Sequence, residues 1–168
     1  MYSKRKDKWE ERYLMQAEKK LASMGIQLPE SSAAKGMYLP GVRVGNMIYI
    51  SGQGPFVDGK LALSGHVGAE LTLEQGQDAA RICAVNILSV LKNLLGDLDK
   101  VKQIANLQAF VNSGPDFHEQ HLVVNGASQL LFNVFGEAGR HSRTAVGTSC
   151  MPFDMPVEIQ AVVAVKED

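Results

Sequence analysis

Arg143 opens a run of small or apolar residues, Thr144, Ala145, Val146, Gly147 and Thr148, and a guanidinium is seldom left in such company without something to pair with. Its planar fork can hold a carboxylate through two parallel hydrogen bonds, a geometry that lysine does not reproduce. Glu158 follows fifteen residues later, on the polar side of an alternating segment. Two chemistries fit this spacing. Arg143 and Glu158 could pair and staple neighbouring strands, or Arg143 could receive the carboxylate of a small ligand. His118 and His121 lie three apart and could share a helix face, but no carboxylate or third histidine stands at matching spacing, so a solvated helix start is expected there rather than a metal site. Cys83 and Cys150 belong to no C-x-x-C pair and to no cluster with zinc-ligand spacing, and are expected as two buried free thiols in a reducing compartment. There is no G-x-G-x-x-G after a strand, no Walker A loop, no H-E-x-x-H and no G-x-S-x-G elbow.

The elements that must position these side chains can be read from periodicity. Residues from about 7 to 24 read as an amphipathic helix, with Trp9, Tyr13, Ala17 and Leu21 at steps of four. Gly25 supplies a stop, and residues 29–36 read as a connector. Val42-Arg43-Val44, the turn pair Gly45-Asn46 and Met47 to Ser51 predict a hairpin. Asp58-Gly59 predicts a second tight turn, between Phe56-Val57 and Leu61-Ala62-Leu63. At Thr72 the period changes to 3.6. Thr72 and Gln75 form a capping box, Leu73, Ala80, Ala84, Ile87, Leu91 and Leu94 form one apolar stripe, and Gly96 ends the helix. A strand over 101–111 follows. A second long helix is then expected, capped by Asp116, ended by Gly136, and turning Leu122, Leu130, Leu131 and Val134 to the core. Strands at about 142–150 and 157–165 close the chain, separated by Pro152 and Pro156. The order ββ(β)αβαββ predicts an α+β fold, one sheet with two long helices packed on one face and an extra N-terminal helix. The other sheet face needs a cover, which association of subunits would provide. The expected division is residues 1–36, the N-terminal helix and connector, and residues 37–168, the sheet domain.

At 168 residues the chain suits one ordinary domain. With 17 basic and 18 acidic side chains, its formal net charge of -1 gives no general attraction to nucleic acid or to an anionic membrane. No apolar run reaches the ~20 residues of a spanning helix. Asp7, Glu10, Glu11 and Arg12 follow the basic start where a signal peptide would be apolar. The expected location is the cytoplasm.

Four blocks carry a family resemblance. Tyr38-Leu-Pro-Gly-Val-Arg-Val-Gly-Asn-Met-Ile-Tyr-Ile-Ser-Gly-Gln53 comes first, then Val124-Asn-Gly-Ala-Ser-Gln-Leu-Leu-Phe132, the Arg143 strand, and Pro152 to Ala161 with its V-E-I-Q-A run. In this order and with this Arg-to-Glu spacing, they resemble the RidA (YjgF-like, endoribonuclease L-PSP-like) superfamily, and the N-terminal helix and G-x-H-S-R context resemble its longer subgroup. The resemblance implies a chorismate-mutase-like α+β fold, a homotrimer with ligand clefts between subunits, and hydrolysis of enamine or imine acids to 2-oxo acids and ammonia. It assigns Arg143 to the substrate carboxylate and Glu158 to the attacking water. It places the Gly52 backbone on the ligand, with Ser51, Tyr38 and Asn125 lining the cleft, and it requires no metal or cofactor. Imine-deaminating members often carry a cysteine two residues after the arginine, where this chain has Ala145. That departure keeps a second expectation in play, a non-catalytic trimeric sensor or carrier of small carboxylates. The endoribonuclease or translation-inhibitor role attributed to some members gets little support from a near-neutral chain without a basic stripe.

Overall fold

A computed structural model describes residues 16–30 and 36–167. Helix α1 (Gln16–Ser23) is the described part of the predicted N-terminal helix; Trp9 and Tyr13 lie outside the described residues. Ala17 and Leu21 are buried in the main core. The Asp99 carboxylate accepts from the Gln16 and Ala17 amides at 2.6 and 3.0 Å, satisfying donors that an incoming helix leaves open. A Lys92–Glu18 ion pair at 2.7 Å adds a second tie.

The sheet has five strands: β1 (Gly41–Val44), β2 (Met47–Gln53), β5 (Val101–Asn112), β6 (Ser142–Thr148) and β7 (Val157–Val165). Their lateral order is β1-β2-β7-β5-β6. β5 and β6 run parallel and every other neighbour pair is antiparallel. β3 (Phe56–Val57) and β4 (Lys60–Leu61) form the small predicted hairpin around Asp58-Gly59. β6 ends at Thr148 rather than near 150.

Helix α2 (Leu73–Leu95) starts with the predicted capping box and ends on Gly96 in the left-handed region. Ala80, Ala84, Ile87 and Leu91 are buried as expected, but Leu94 is 42% exposed and Leu95 takes the buried place beside Leu91. The second long helix is not continuous. It begins at Gln120, not after Asp116, and it is split into α3 (Gln120–Val123) and α4 (Asn125–Phe135). Asp116 is exposed and caps neither piece; the Gln120 amide side chain instead donates to the Phe117 carbonyl and holds the preceding loop. Leu130, Leu131 and Val134 are buried, whereas Leu122 is only partly so.

α2 and α4 cover one face of the sheet, where Leu107, Ala109, Val111, Val157, Ile159 and Ala161 make the core. The fold is the expected α+β arrangement. On the opposite face Val44, Tyr49 and Val146 stay exposed in the single chain. Cys83 is buried, but Cys150 is exposed, so only one thiol sits where expected; both are free. Among the described residues no helix is long and apolar enough to cross a membrane.

Candidate functional site

The crossover from β5 to β6 puts Arg143 on the sheet edge beneath the α3–α4 junction. Arg143 is in register with Leu107 and Ala145 with Ala109, so both project to the helix-covered face. There the guanidinium is half-buried. Its Nη1 donates to Asn125 Oδ1 at 3.0 Å and to Ser128 Oγ at 2.9 Å, and its Nη2 donates to the His121 carbonyl at 2.9 Å. Every one of these acceptors is neutral. Five N–H groups are available to an arginine, so the Nε–H and one Nη2–H remain without a partner among the described residues, and no carboxylate pairs with the charge. Burial lowers the Arg143 pKa, which leaves the group charged at any physiological pH.

The Arg143–Glu158 staple is absent. β5 lies between β6 and β7, so the two strands are not neighbours. Glu158 is in register with Phe110, one of the residues that alternate away from the core, and so projects from the face opposite to Arg143. The two side chains that the sequence couples by spacing are thus held on opposite faces of one sheet.

Glu158 has its own cluster. β2 carries a bulge between Ile50 and Gln53, and Ser51 and Gly52 occupy it. A side chain at Gly52 would place its Cβ 2.2 Å from a Glu158 carboxylate oxygen, so the glycine is what allows Glu158 to lie across the β2 backbone. Ser51 Oγ donates to the Leu39 carbonyl at 2.7 Å and fastens the segment before β1, on which Tyr38 stands 54% exposed. Glu158 is half-buried without a hydrogen bond or ion pair among the described residues, and desolvation raises its pKa. The charge has a second effect: burial first, and the Glu158 field after it, push the Cys83 thiol well above its ordinary range.

A stability prediction follows from the sign of that Glu158 shift. A carboxyl with a raised folded-state pKa binds more protons folded than unfolded, so stability falls as pH rises from the unfolded value through the folded one. Glu158→Gln is therefore expected to melt with wild type in acid and above wild type at neutral pH. Equal melting temperatures at neutral pH would show that the charge is compensated.

The predicted residues form two groups: Arg143 with Asn125, and Glu158 with Gly52, beside the Ser51 and Tyr38 segment. Sequence reading missed Ser128 and His141. Ser128 lies three residues after Asn125 on α4 and His141 two residues before Arg143, which are the same-face intervals of a helix and a strand. Ser128 Oγ and His141 Nε2 are 2.9 Å apart, and His141 Nδ1 lies 2.7 Å from the Gly139 carbonyl. All four residues, Asn125, Ser128, His141 and Arg143, line one open groove of about 1140 Å³, to which Met24, just beyond the end of α1, also contributes. His118 and His121 are both exposed, as a solvated helix start requires, although the backbone of His121 serves Arg143. Among the described residues, the one set of side chains spaced to hold a metal is Glu18, Asp97 and Asp99. Glu18 Oε1 already serves Lys92 and the Leu98 amide, and both Asp99 oxygens serve the start of α1, while Glu18 Oε2 is buried without a partner among the described residues.

Comparison with known proteins agrees with this architecture. A sequence model of the YjgF/chorismate mutase-like endoribonuclease family matches residues 18–163. Protein TCP17 of Trypanosoma cruzi is 46% identical over 144 residues, 85% of this chain and 90% of that protein. The crystal structure of Atu1372, a protein of unknown function from Agrobacterium tumefaciens, is 45% identical and superposes with a TM-score of 0.86, covering 94% of this chain and 99% of the other. The YjgF gene product of E. coli shares the fold at 24% identity and a TM-score of 0.60, over 82% of this chain and 94% of its own. The chain belongs to the YjgF/chorismate mutase-like endoribonuclease family.

Proposed function

We propose that the protein binds small 2-imino or 2-oxo carboxylates at Arg143 and hydrolyses the imines to 2-oxo acids and ammonia. The observation that carries this reading is the guanidinium left uncompensated by the described residues: a half-buried cation ringed by neutral acceptors, with two donors left over among them. A carboxylate arriving in the groove would supply the missing charge and take both donors at once. An imine carbon is already electrophilic, so holding the acid group and a water in place contributes most of what the reaction needs. Glu158 is suited to the water. Its desolvated carboxylate has no partner among the described residues to weaken it as a proton acceptor.

Opposite faces within one chain mean that Arg143 and Glu158 meet only if the groove of one copy abuts the β2–β7 face of another. The exposed Val44, Tyr49 and Val146 give that face a reason to be covered. A homotrimer with clefts between subunits satisfies both requirements, and Tyr38, Ser51 and Gly52 would then form the second wall. The alternative is carboxylate binding without turnover, which Ala145, on the same face as Arg143 and without a thiol, favours.

The test combines enzymatically generated 2-iminobutanoate with calorimetry on 2-oxobutanoate. Acceleration of ammonia release that Glu158→Gln removes, with binding retained, supports the hydrolase. Binding with no acceleration supports the carrier. Neither binding nor turnover rejects both.

A further inference from the structure

The Ser128–His141 pair is not used by the reading above, yet it touches Arg143 directly. The Gly139 carbonyl can only accept, so its 2.7 Å contact fixes the proton of the neutral imidazole on Nδ1. Nε2 is then an acceptor, and the 2.9 Å contact is a Ser128 hydroxyl donating to His141. Ser128 Oγ keeps two lone pairs, and one accepts from Arg143 Nη1 at 2.9 Å. The result is a directional chain, Arg143 to Ser128 to His141 to Gly139, with a basic nitrogen one hydroxyl away from the carboxylate clamp. A backbone carbonyl orients the imidazole, a serine relays the proton, and a cation steadies negative charge on the serine oxygen while the proton is in transit. Burial, helped by the Arg143 charge, outweighs the opposing hydrogen bond to the Gly139 carbonyl and lowers the His141 pKa, so the ring is neutral and able to accept near pH 7. The charged groups lining the groove around the ring are Asp78 and Arg81 of α2, Arg140 beside it in the chain, and Arg143.

Resting on the imine-hydrolase reading, we propose that Ser128 and His141 form the proton relay that collapses the carbinolamine. In the first step water adds to the iminium carbon. The C–O bond forms, the C=N π pair moves to nitrogen, and the departing water proton goes to Glu158. In the second, Glu158 returns that proton to nitrogen and the C–N bond breaks, its electron pair leaving with ammonia. The hydroxyl O–H pair becomes the carbonyl π bond as its proton passes to Ser128 Oγ, while Ser128 hands its own proton to His141 Nε2. His141 then loses the proton to solvent, which restores the chain. No oxidant, metal or second substrate is consumed.

The experiment compares wild type, His141→Gln, Ser128→Ala and Ser128→Thr in 2-iminobutanoate hydrolysis across pH, with 2-oxobutanoate affinity measured alongside. His141→Gln and Ser128→Ala are expected to lower kcat roughly a hundredfold, and His141→Gln, which removes no acceptor of Arg143, to leave 2-oxobutanoate affinity within about threefold of wild type. Ser128→Thr, which retains a hydroxyl, is expected to recover most of the loss. On the acid side, log kcat in wild type should fall with a limiting slope of about two, since Glu158 and His141 must both start unprotonated, and His141→Gln should reduce that slope to about one. Two results overturn the relay while leaving the carboxylate clamp intact. One is an active wild type whose kcat and pH profile are unchanged in His141→Gln. The other is an affinity loss equal to the loss in kcat/KM with kcat preserved, which marks these residues as structural props for Arg143. A wild type with no turnover overturns the relay and the hydrolase reading together.

Discussion

Arg143→Lys is expected to weaken 2-oxobutanoate binding by a factor of roughly 10 to 100, and Arg143→Ala to remove it, with the thermal midpoint of both variants close to wild type. Two donors of the guanidinium are unengaged among the described residues. A charge-assisted hydrogen bond to a carboxylate contributes about 1.5–3 kcal/mol, and 1.4 kcal/mol is tenfold in affinity. Lysine keeps the charge but cannot engage Asn125, Ser128, the His121 carbonyl and a bidentate acid simultaneously, because three rotatable donors replace five fixed ones. Stability should change little for a separate reason. The acceptors that Arg143 would abandon line an open groove where water can replace it, and no buried carboxylate is left unpaired. Calorimetry and a melting curve on the same samples separate the two effects. A Kd within threefold of wild type for Arg143→Ala would place the carboxylate elsewhere.

Legibility from sequence followed the range of the interaction involved. The capping box at Thr72 and Gln75, the Gly96 stop and the Gly45-Asn46 turn are set by atoms a few residues apart, and each formed where the residues indicated. The break at Val124 was not legible, since it depends on how closely α4 approaches α2, a tertiary constraint without a local signature. The site divided in the same way. Arg143 stood out because its chemistry contradicts its apolar neighbours, and Asn125 came with it through the family motif. The inferred link to Glu158 failed as an intramolecular pair because sequence adjacency of β6 and β7 is not spatial adjacency: β5, far earlier in the chain, inserts between them. Ser128 and His141 went unnoticed although the i, i+3 and i, i+2 intervals to Asn125 and Arg143 were there to be read. A serine in a helix and a histidine in a turn have common structural roles, and only the hydrogen-bond chain distinguishes them. The bulge at Ser51-Gly52 has the same character. Its meaning appears once the Glu158 carboxylate is seen to occupy the space where a Gly52 side chain would be.

The tertiary constraint behind the Val124 break makes the second large prediction, Gly126→Ala. Helix propensity alone gives this substitution a favourable sign, since alanine is preferred to glycine within a helix by about 0.5–1 kcal/mol. The structure gives it the opposite sign. A Cβ on Gly126 would sit 2.0 Å from the Gln77 carbonyl oxygen, 2.8 Å from its carbon and 3.0 Å from its Cα, all backbone of α2. No rotamer change relieves a contact with backbone, so the two helices must part by about an ångström, in a core already packed near crystal density. Overpacking of this kind costs about 1–3 kcal/mol and more where the obstacle is rigid, which for a chain of this size is a fall in Tm of roughly 2–12 °C. The damage should not stop at stability. Asn125 precedes Gly126 and Ser128 follows two residues later, so moving the start of α4 pulls both acceptors from Arg143, and the Gln77 amide loses its hold on the Leu122 carbonyl at the end of α3. Carboxylate affinity is therefore expected to fall along with Tm in Gly126→Ala, whereas Arg143→Ala removes affinity at nearly constant Tm. If Gly126→Ala melts at or above wild type, local propensity has won and the close helix approach is not what fixes the groove.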